Sequence, residues 1–153
     1  QLKIYPKEAK KFIDQYFALY KKVKVYMEKT VAEAKEVGYT QTMMNRKRYL
    51  PDLKSQNRQL REAAGRVAIN SPVQGSAADL IKLAMIRLAQ KIRKKKLKSR
   101  MILQVHDELV FECPEEEEQE MRALVKKERE GVVALKVPLV VDMGWGKNWN
   151  TAH

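Results

Sequence analysis

Apolar residues recur at helical intervals through the first part of the chain. Ala9, Phe12, Ile13, Tyr16, Phe17 and Tyr20 follow a 3,1,3,1,3 spacing. That spacing predicts an amphipathic helix starting at Pro6, because proline suits a first helical turn. A second helix is expected from about Val23 to Val37, ending at Gly38, a residue suited to the left-handed C′ position. Tyr39 to Met43 reads as a short strand, Arg46, Lys47 and Arg48 as a basic loop, and Pro51 as the end of regular structure there. Ser55 is placed to cap a helix carrying Leu60, Ala63, Ala64, Val67 and Ala68. Ser71-Pro72 predicts a break: proline disfavours helix at the residue before it, yet suits the first turn of a new helix that Ser71 caps. From there Val73, Ala77, Leu80, Ile81, Ala84, Met85, Leu88 and Ile92 keep helical spacing.

The period then changes. Lys91 to Lys98 is a basic connector into two short β-prone runs, Met101 to Val105 and Leu109 to Phe111. Only His106, Asp107 and Glu108 separate them, which predicts a tight antiparallel hairpin. After Pro114 comes an acid-first helix, with Glu115 to Glu118 at the positive end of its dipole and Lys126, Lys127 and Arg129 toward the other end. Val137 to Val141 reads as a final strand, and Gly144-Trp-Gly146 closes the chain. Helices packed on a small antiparallel sheet with a β-hairpin make an α+β domain. There is no internal repeat, and no linker that would split residues 1–153 into separate domains.

Charge sharpens this picture. The 153 residues hold 31 Lys and Arg against 19 Asp and Glu, a net +12. That balance is the footprint of a protein that meets a polyanion, and equally of a Lys-rich soluble surface. One cysteine, Cys113, excludes an internal disulfide and a cysteine-based metal site, and points to a reducing compartment. No apolar run approaches the ~18 residues needed to span a bilayer. The start, Gln1-Leu-Lys-Ile-Tyr-Pro6, shows no cleavable leader; lacking methionine and opening into helical sequence, it suggests part of something longer.

The hairpin tip carries the candidate chemistry. Two carboxylates and an imidazole bring desolvation and repulsion that a structural turn does not need, and Asn-Gly would serve a turn better. Hard-cation chemistry does need carboxylates clustered on a rigid hairpin, although a solvated turn fits the same three letters. Neighbouring side chains on an extended strand point to opposite faces, so Asp107 and Glu108 can share an ion only if the backbone bends between them.

The flanking residues resemble a known family. Leu103-Gln-Val-His-Asp-Glu-Leu-Val-Phe-Glu112 is similar to motif C in the palm of family A DNA polymerases, the DNA polymerase I type. Arg66-Val-Ala-Ile-Asn-Ser-Pro-Val-Gln-Gly-Ser-Ala-Ala-Asp-Leu-Ile-Lys82 resembles the helix preceding that motif. Gly38-Tyr-Thr-Gln-Thr42 ahead of Arg46-Lys-Arg-Tyr-Leu-Pro51, and the ending Gly146-Lys-Asn-Trp-Asn-Thr-Ala-His153, match further segments. The resemblance implies a polymerase palm with part of the fingers, residues 1–65 on the fingers side and 66–153 forming the palm helix, hairpin and terminal strand.

It also implies roles. Asp107 is one of two essential palm aspartates that bind a pair of Mg²⁺ ions, Glu108 a supporting carboxylate, and His106 a neighbour of the primer terminus. Arg66, Asn70, Gln74 and Gln104 become DNA contacts. Asn70 and Gln74, spaced i,i+4, offer amides to the N3 and O2 minor-groove acceptors common to every base pair, or else satisfy backbone groups opened by Pro72. Arg46, Lys47 and Arg48 become phosphate contacts, where a solvated loop is the plain reading. Asp79 reads as a capping or surface carboxylate, and Trp145 and Trp149 as terminal packing. Asp142 is a further aspartate plausible near the hairpin, but the family does not place its partner aspartate there. Two departures stand out: Gly65 where the family has an acidic residue, and Asn45 where it often has glycine.

The other palm motif, with its partner aspartate, and the nucleotide-gripping fingers helix have no counterpart in the chain. The implied function is template-directed DNA synthesis from a primer-template and deoxynucleoside triphosphates, with the chain inactive until joined by a missing amino-terminal part. The implied setting is a bacterial or phage-like cytoplasm, nucleoid-associated, or an organelle. A non-catalytic duplex-binding module, an RNA-synthesising nucleotidyl transferase and a metal-dependent nuclease remain as alternatives.

Overall fold

The computed structural model describes residues 5–152; the opening Gln1 to Ile4 and the final His153 lie outside the described residues. In order come α1 (Pro6–Leu19), α2 (Lys21–Val37), β1 (Tyr39–Gln41), β2 (Lys47–Tyr49), α3 (Arg58–Lys95), β3 (Arg100–Val105), β4 (Glu108–Glu112), α4 (Glu118–Glu130) and α5 (Trp149–Ala152). The fold is α+β. Its strands pair as two separate antiparallel hairpins, β1–β2 and β3–β4, instead of one sheet. The chain divides into two compact units, up to Gly75 and from Ser76 onward. That division falls inside α3.

In the first unit, Pro6 opens α1 and Gly38 ends α2 in the left-handed conformation, φ 84°, as their chemistry predicts. The apolar stripe of α1 forms but is not covered: none of the described residues of α1 is buried, and Phe12, Ile13 and Tyr16 are at least half exposed. The core lies further on, where Ala34, Leu50, Leu53, Ala64 and Ala68 pack with Val31 and Val67. The cap of α3 is not Ser55. Asn57 holds that place, its Oδ1 accepting from the amides of Gln59 (2.9 Å) and Leu60 (3.4 Å), while Ser55 accepts from Asn57 itself.

The predicted break at Ser71-Pro72 does not occur. Pro72 sits inside α3, which runs unbroken for 38 residues. An internal proline removes one hydrogen bond and costs about 3 kcal/mol, an amount that tertiary packing on both sides of it can offset. Asp79 is therefore mid-helix and not at a helix end. Gly65 lies in regular helix, and a Cβ there would meet nothing within 4 Å, whereas one on Gly75 would stand 2.7 Å from Thr42 Cγ2.

In the second unit, Leu88, Met121, Leu124 and Val125 form a core joined by Ile92, Leu97, Leu109, Phe111, Cys113 and Met143. The basic connector is not a free cationic run. Lys91 pairs with the buried Glu128 at 2.8 Å, Lys95 with Glu120 at 2.5 Å and Lys98 with Glu116 at 3.4 Å, so acids of the α4 region neutralise much of it. Glu117 accepts from the amides of Lys98 (2.8 Å) and Ser99 (2.9 Å) and from the Ser99 hydroxyl (2.5 Å). These bonds, the Ser99 hydroxyl first, hold the Glu117 carboxyl below the usual carboxylate range.

The predicted strand at Val137 to Val141 is absent among the described residues. Val137 and Val140 are exposed, and the Val141 amide donates to Glu130 Oε1 (3.2 Å) instead of a ladder. β-Propensity measures fit to a neighbouring strand, and here the segment pairs with none.

Gly65→Ala should raise unfolding stability by about 0.5–1 kcal/mol, since it removes helix-interior glycine without a clash. Gly75→Ala should lower stability despite the same propensity gain; thermal unfolding of the two variants compares them directly. Glu117→Gln should destabilise at neutral pH. Because folding depresses this carboxyl's pKa, its stabilisation is complete above the unfolded glutamate range and is lost as pH falls through the folded value. The gap between wild type and variant should close on acidification, followed by denaturation midpoints from neutral to acidic pH.

Candidate nucleic-acid interface and hairpin tip

The β3–β4 register pairs Val105 with Glu108, so the turn is two residues, His106 and Asp107, and not three. Glu108 opens β4. A two-residue hairpin needs positive φ, and His106 supplies it at 51°, in the left-handed region that histidine enters more readily than most L residues. Side chains pin the backbone of this turn. Gln104 Nε2 donates to the His106 carbonyl (3.1 Å), and Arg129 Nη2 donates to the Asp107 carbonyl (2.7 Å). Gln104, expected at DNA, thus has its amide engaged in shaping the turn. Arg129, on α4, was not singled out by its sequence context; only the folded chain brings it to the tip.

Asp107 and Glu108 both line an open groove of about 1250 Å³, together with Arg122, Arg129, Asp142 and Trp145. The turn falls just before Glu108, so the two acidic residues do not follow the plain alternation of one extended strand. Asp142 shares the groove, yet among the described residues no group of three or more His, Cys, Asp or Glu side chains is arranged to hold a metal ion. Trp145 packs against Arg122, its ring centroid 5.7 Å from the guanidinium carbon, while Trp149 is half exposed.

A second surface lies in the first unit. Because α3 does not break, Arg66, Asn70 and Gln74 fall at i, i+4 and i+8 of one helix, and all three are exposed. Arg46, Lys47 and Arg48 are not a loop: Arg46 follows the β-turn, and the other two are strand residues of β2. Asn45 takes φ 62° in that turn, the left-handed geometry that asparagine tolerates in place of glycine. Alternation separates the three cations. Lys47 sits over the Tyr39 ring, 4.3 Å from its centroid, whereas Arg48 pairs across the strands with Thr40. Arg46 Nη2 donates to the Gly75 carbonyl (3.1 Å), which ties the hairpin to α3 beside Gln74. Thr40, Arg46, Arg48, Ser71 and Gln74 then line one small cavity. Thr40, Ser71 and Gly75 are the members that pattern reading missed; a glycine inside a helix was the available signal of close approach.

The model of DNA polymerase family A matches residues 1–151. The chain belongs to DNA polymerase family A. It is 55% identical to DNA polymerase I of Caldicellulosiruptor bescii over 97% of its own length and 51% identical to that of Bacillus subtilis over 95%. In both cases it spans 17% of the relative's length. A solved structure, the POL domain of Pol1 from M. smegmatis in complex with DNA primer-template and dNTP, matches 99% of this chain with a TM-score of 0.96 and 49% identity. The chain covers 27% of that domain. Among the described residues, no helix is long and apolar enough to cross a membrane.

Arg129→Ala should loosen the tip without unfolding α4. Amide hydrogen exchange at Asp107 and Glu108 should quicken while that of α4 holds; unchanged exchange at the tip would show that the hairpin needs no external support.

Proposed function

We propose that this family A chain serves template-directed DNA synthesis, as one part of a longer polymerase polypeptide or assembly. The observation that carries this reading is the pinned hairpin tip, with Asp107 and Glu108 both among the residues lining one groove. Carboxylate oxygens at a pinned hairpin tip suit a hard divalent cation such as Mg²⁺. Asp107 and Glu108 would hold it together with ligands from outside the chain. When bound, such a metal would supply Lewis-acid activation and charge stabilisation for nucleotidyl transfer.

The chain's own residues do the rest. His106, exposed at the turn, offers an imidazole donor toward a primer terminus. Arg66, Asn70 and Gln74 present an arginine and two amides from one helix face, donors matched to minor-groove acceptors that every base pair carries. Arg46 and Arg48 contribute cations for the phosphate backbone. Such contacts position a duplex without reading its sequence, as copying any template demands. The similarity to a polymerase domain solved with primer-template and dNTP supports the same partners here. Its bacterial relatives support a bacterial, cytoplasmic setting. The fingers side then lies in residues 1–65 and the palm in 66–153.

One observation favours a second reading of the isolated chain, a duplex-binding module without catalysis: Arg66, Asn70 and Gln74 already form an exposed donor face on one helix. Primer extension decides between them. The 153-residue chain alone should bind duplex DNA and show no magnesium-dependent extension. In the intact polymerase, Asp107→Ala should abolish extension while primer-template affinity stays within about twofold, because the lost group acts on metal and transition state and not on the duplex. A variant keeping most of its turnover would remove Asp107 from the metal site.

A further inference from the structure

The small cavity in the first unit holds two hydroxyls that the fold leaves unanswered. Thr40 is 6% exposed, and its Oγ1 and the buried Oγ of Ser71 find no hydrogen-bond partner among the described residues. A buried hydroxyl without a partner costs about 1–3 kcal/mol, so two in one place call for a reason. The default partner is ignored as well: a helical serine usually donates to the carbonyl four residues back, and Ser71 does not.

Both residues line the same cavity of about 70 Å³, with Gln41, Thr42, Arg46, Arg48, Gln74 and Gly75 completing its wall. A site of that volume exceeds the ~30 Å³ share of one water. Its chemistry is one-sided. Hydroxyls, guanidinium groups and an amide offer donors, and none of these wall residues is acidic. The fold also keeps the cavity open: Gly75 lets the hairpin approach α3 at Thr42, and the Arg46 bond to the Gly75 carbonyl fixes that approach. Arg48 stands directly across the ladder from Thr40, so its cation shares the cavity-facing side of the hairpin.

We propose that the cavity between hairpin β1–β2 and α3 is an oxyanion site, in which the Thr40 and Ser71 hydroxyls donate to a phosphate oxygen while Arg46 and Arg48 neutralise its charge. Phosphate of a nucleic-acid backbone and free inorganic phosphate share this chemistry. The backbone source rests on the DNA-synthesis reading; the oxyanion site does not.

The test uses the intact polymerase carrying this chain, with two arms. In the first, inorganic phosphate is titrated against thermal stability. Millimolar phosphate should raise the melting temperature of wild type and of Thr40→Ser, which keeps the hydroxyl, and should not raise that of Thr40→Val/Ser71→Ala. In the second, primer-template affinity is measured across a salt series. The double variant should bind about tenfold more weakly with an unchanged slope of log K against log salt, because neutral hydroxyls release no counterions. Arg48→Ala should instead flatten that slope by about 0.9. Loss of the phosphate response with DNA affinity intact would support a site for free phosphate and exclude the backbone source. A wild type that responds to phosphate but binds no DNA would sink the DNA-synthesis reading and leave the site standing. A double variant matching wild type in both arms would overturn the proposal, the hydroxyls then holding water only.

Discussion

The backbone of α3 staying helical through Pro72 is the constraint on which the candidate surface of the first unit depends. A proline there forfeits one hydrogen bond and crowds the preceding turn. Packing on either side offsets this: Ala64 and Ala68 are buried in the core of the first unit, and Ile81, Ala84 and Leu88 are buried in the second. Had the helix broken at Ser71, Gln74 would leave the line of Arg66 and Asn70, and Gly75 would no longer meet Thr42. Continuity places Gln74 and the arginines Arg46 and Arg48 of hairpin β1–β2 around one small cavity.

The second unit solves a different problem, that of holding charge on a tight turn. His106 accepts a left-handed backbone, and donors from Gln104 and Arg129 engage the two turn carbonyls. The turn is thus stiffened through its backbone, while Asp107 stays exposed. Electrostatics elsewhere in the unit follow one scheme. Cations near the end of α3 meet the acids of the α4 region, and Glu117 clamps the amides that lead into β3. Part of the unit's positive charge is therefore paired within the fold, which composition could not distinguish.

Much of the site was legible in the sequence because its signals are local. The hairpin at 101–111 follows from two short β-prone runs separated by very few residues, and Gly38 and Asn45 take the left-handed conformations that their chemistry allows. The errors also have physical causes. The break at Ser71-Pro72 was inferred from a local preference of about 3 kcal/mol that distributed packing overrides. The strand at Val137 to Val141 was inferred from propensity, but a strand needs a partner backbone, and none pairs with it here. The apolar stripe of α1 was real as a pattern, yet a pattern does not supply the surface that covers it.

The sequence by itself determined the α+β class, the helices flanking each hairpin, the family and the identity of the candidate residues, because periodicity, turn chemistry and motif order are properties of neighbouring residues. Only the tertiary structure decided that Lys47 turns to the Tyr39 ring while Arg48 faces Thr40, that Arg129 supports the tip, and that two unanswered hydroxyls share a cavity with two arginines. These are contacts between segments distant in the chain, fixed by where a helix continues and how closely a glycine lets a hairpin approach. No local pattern encodes them.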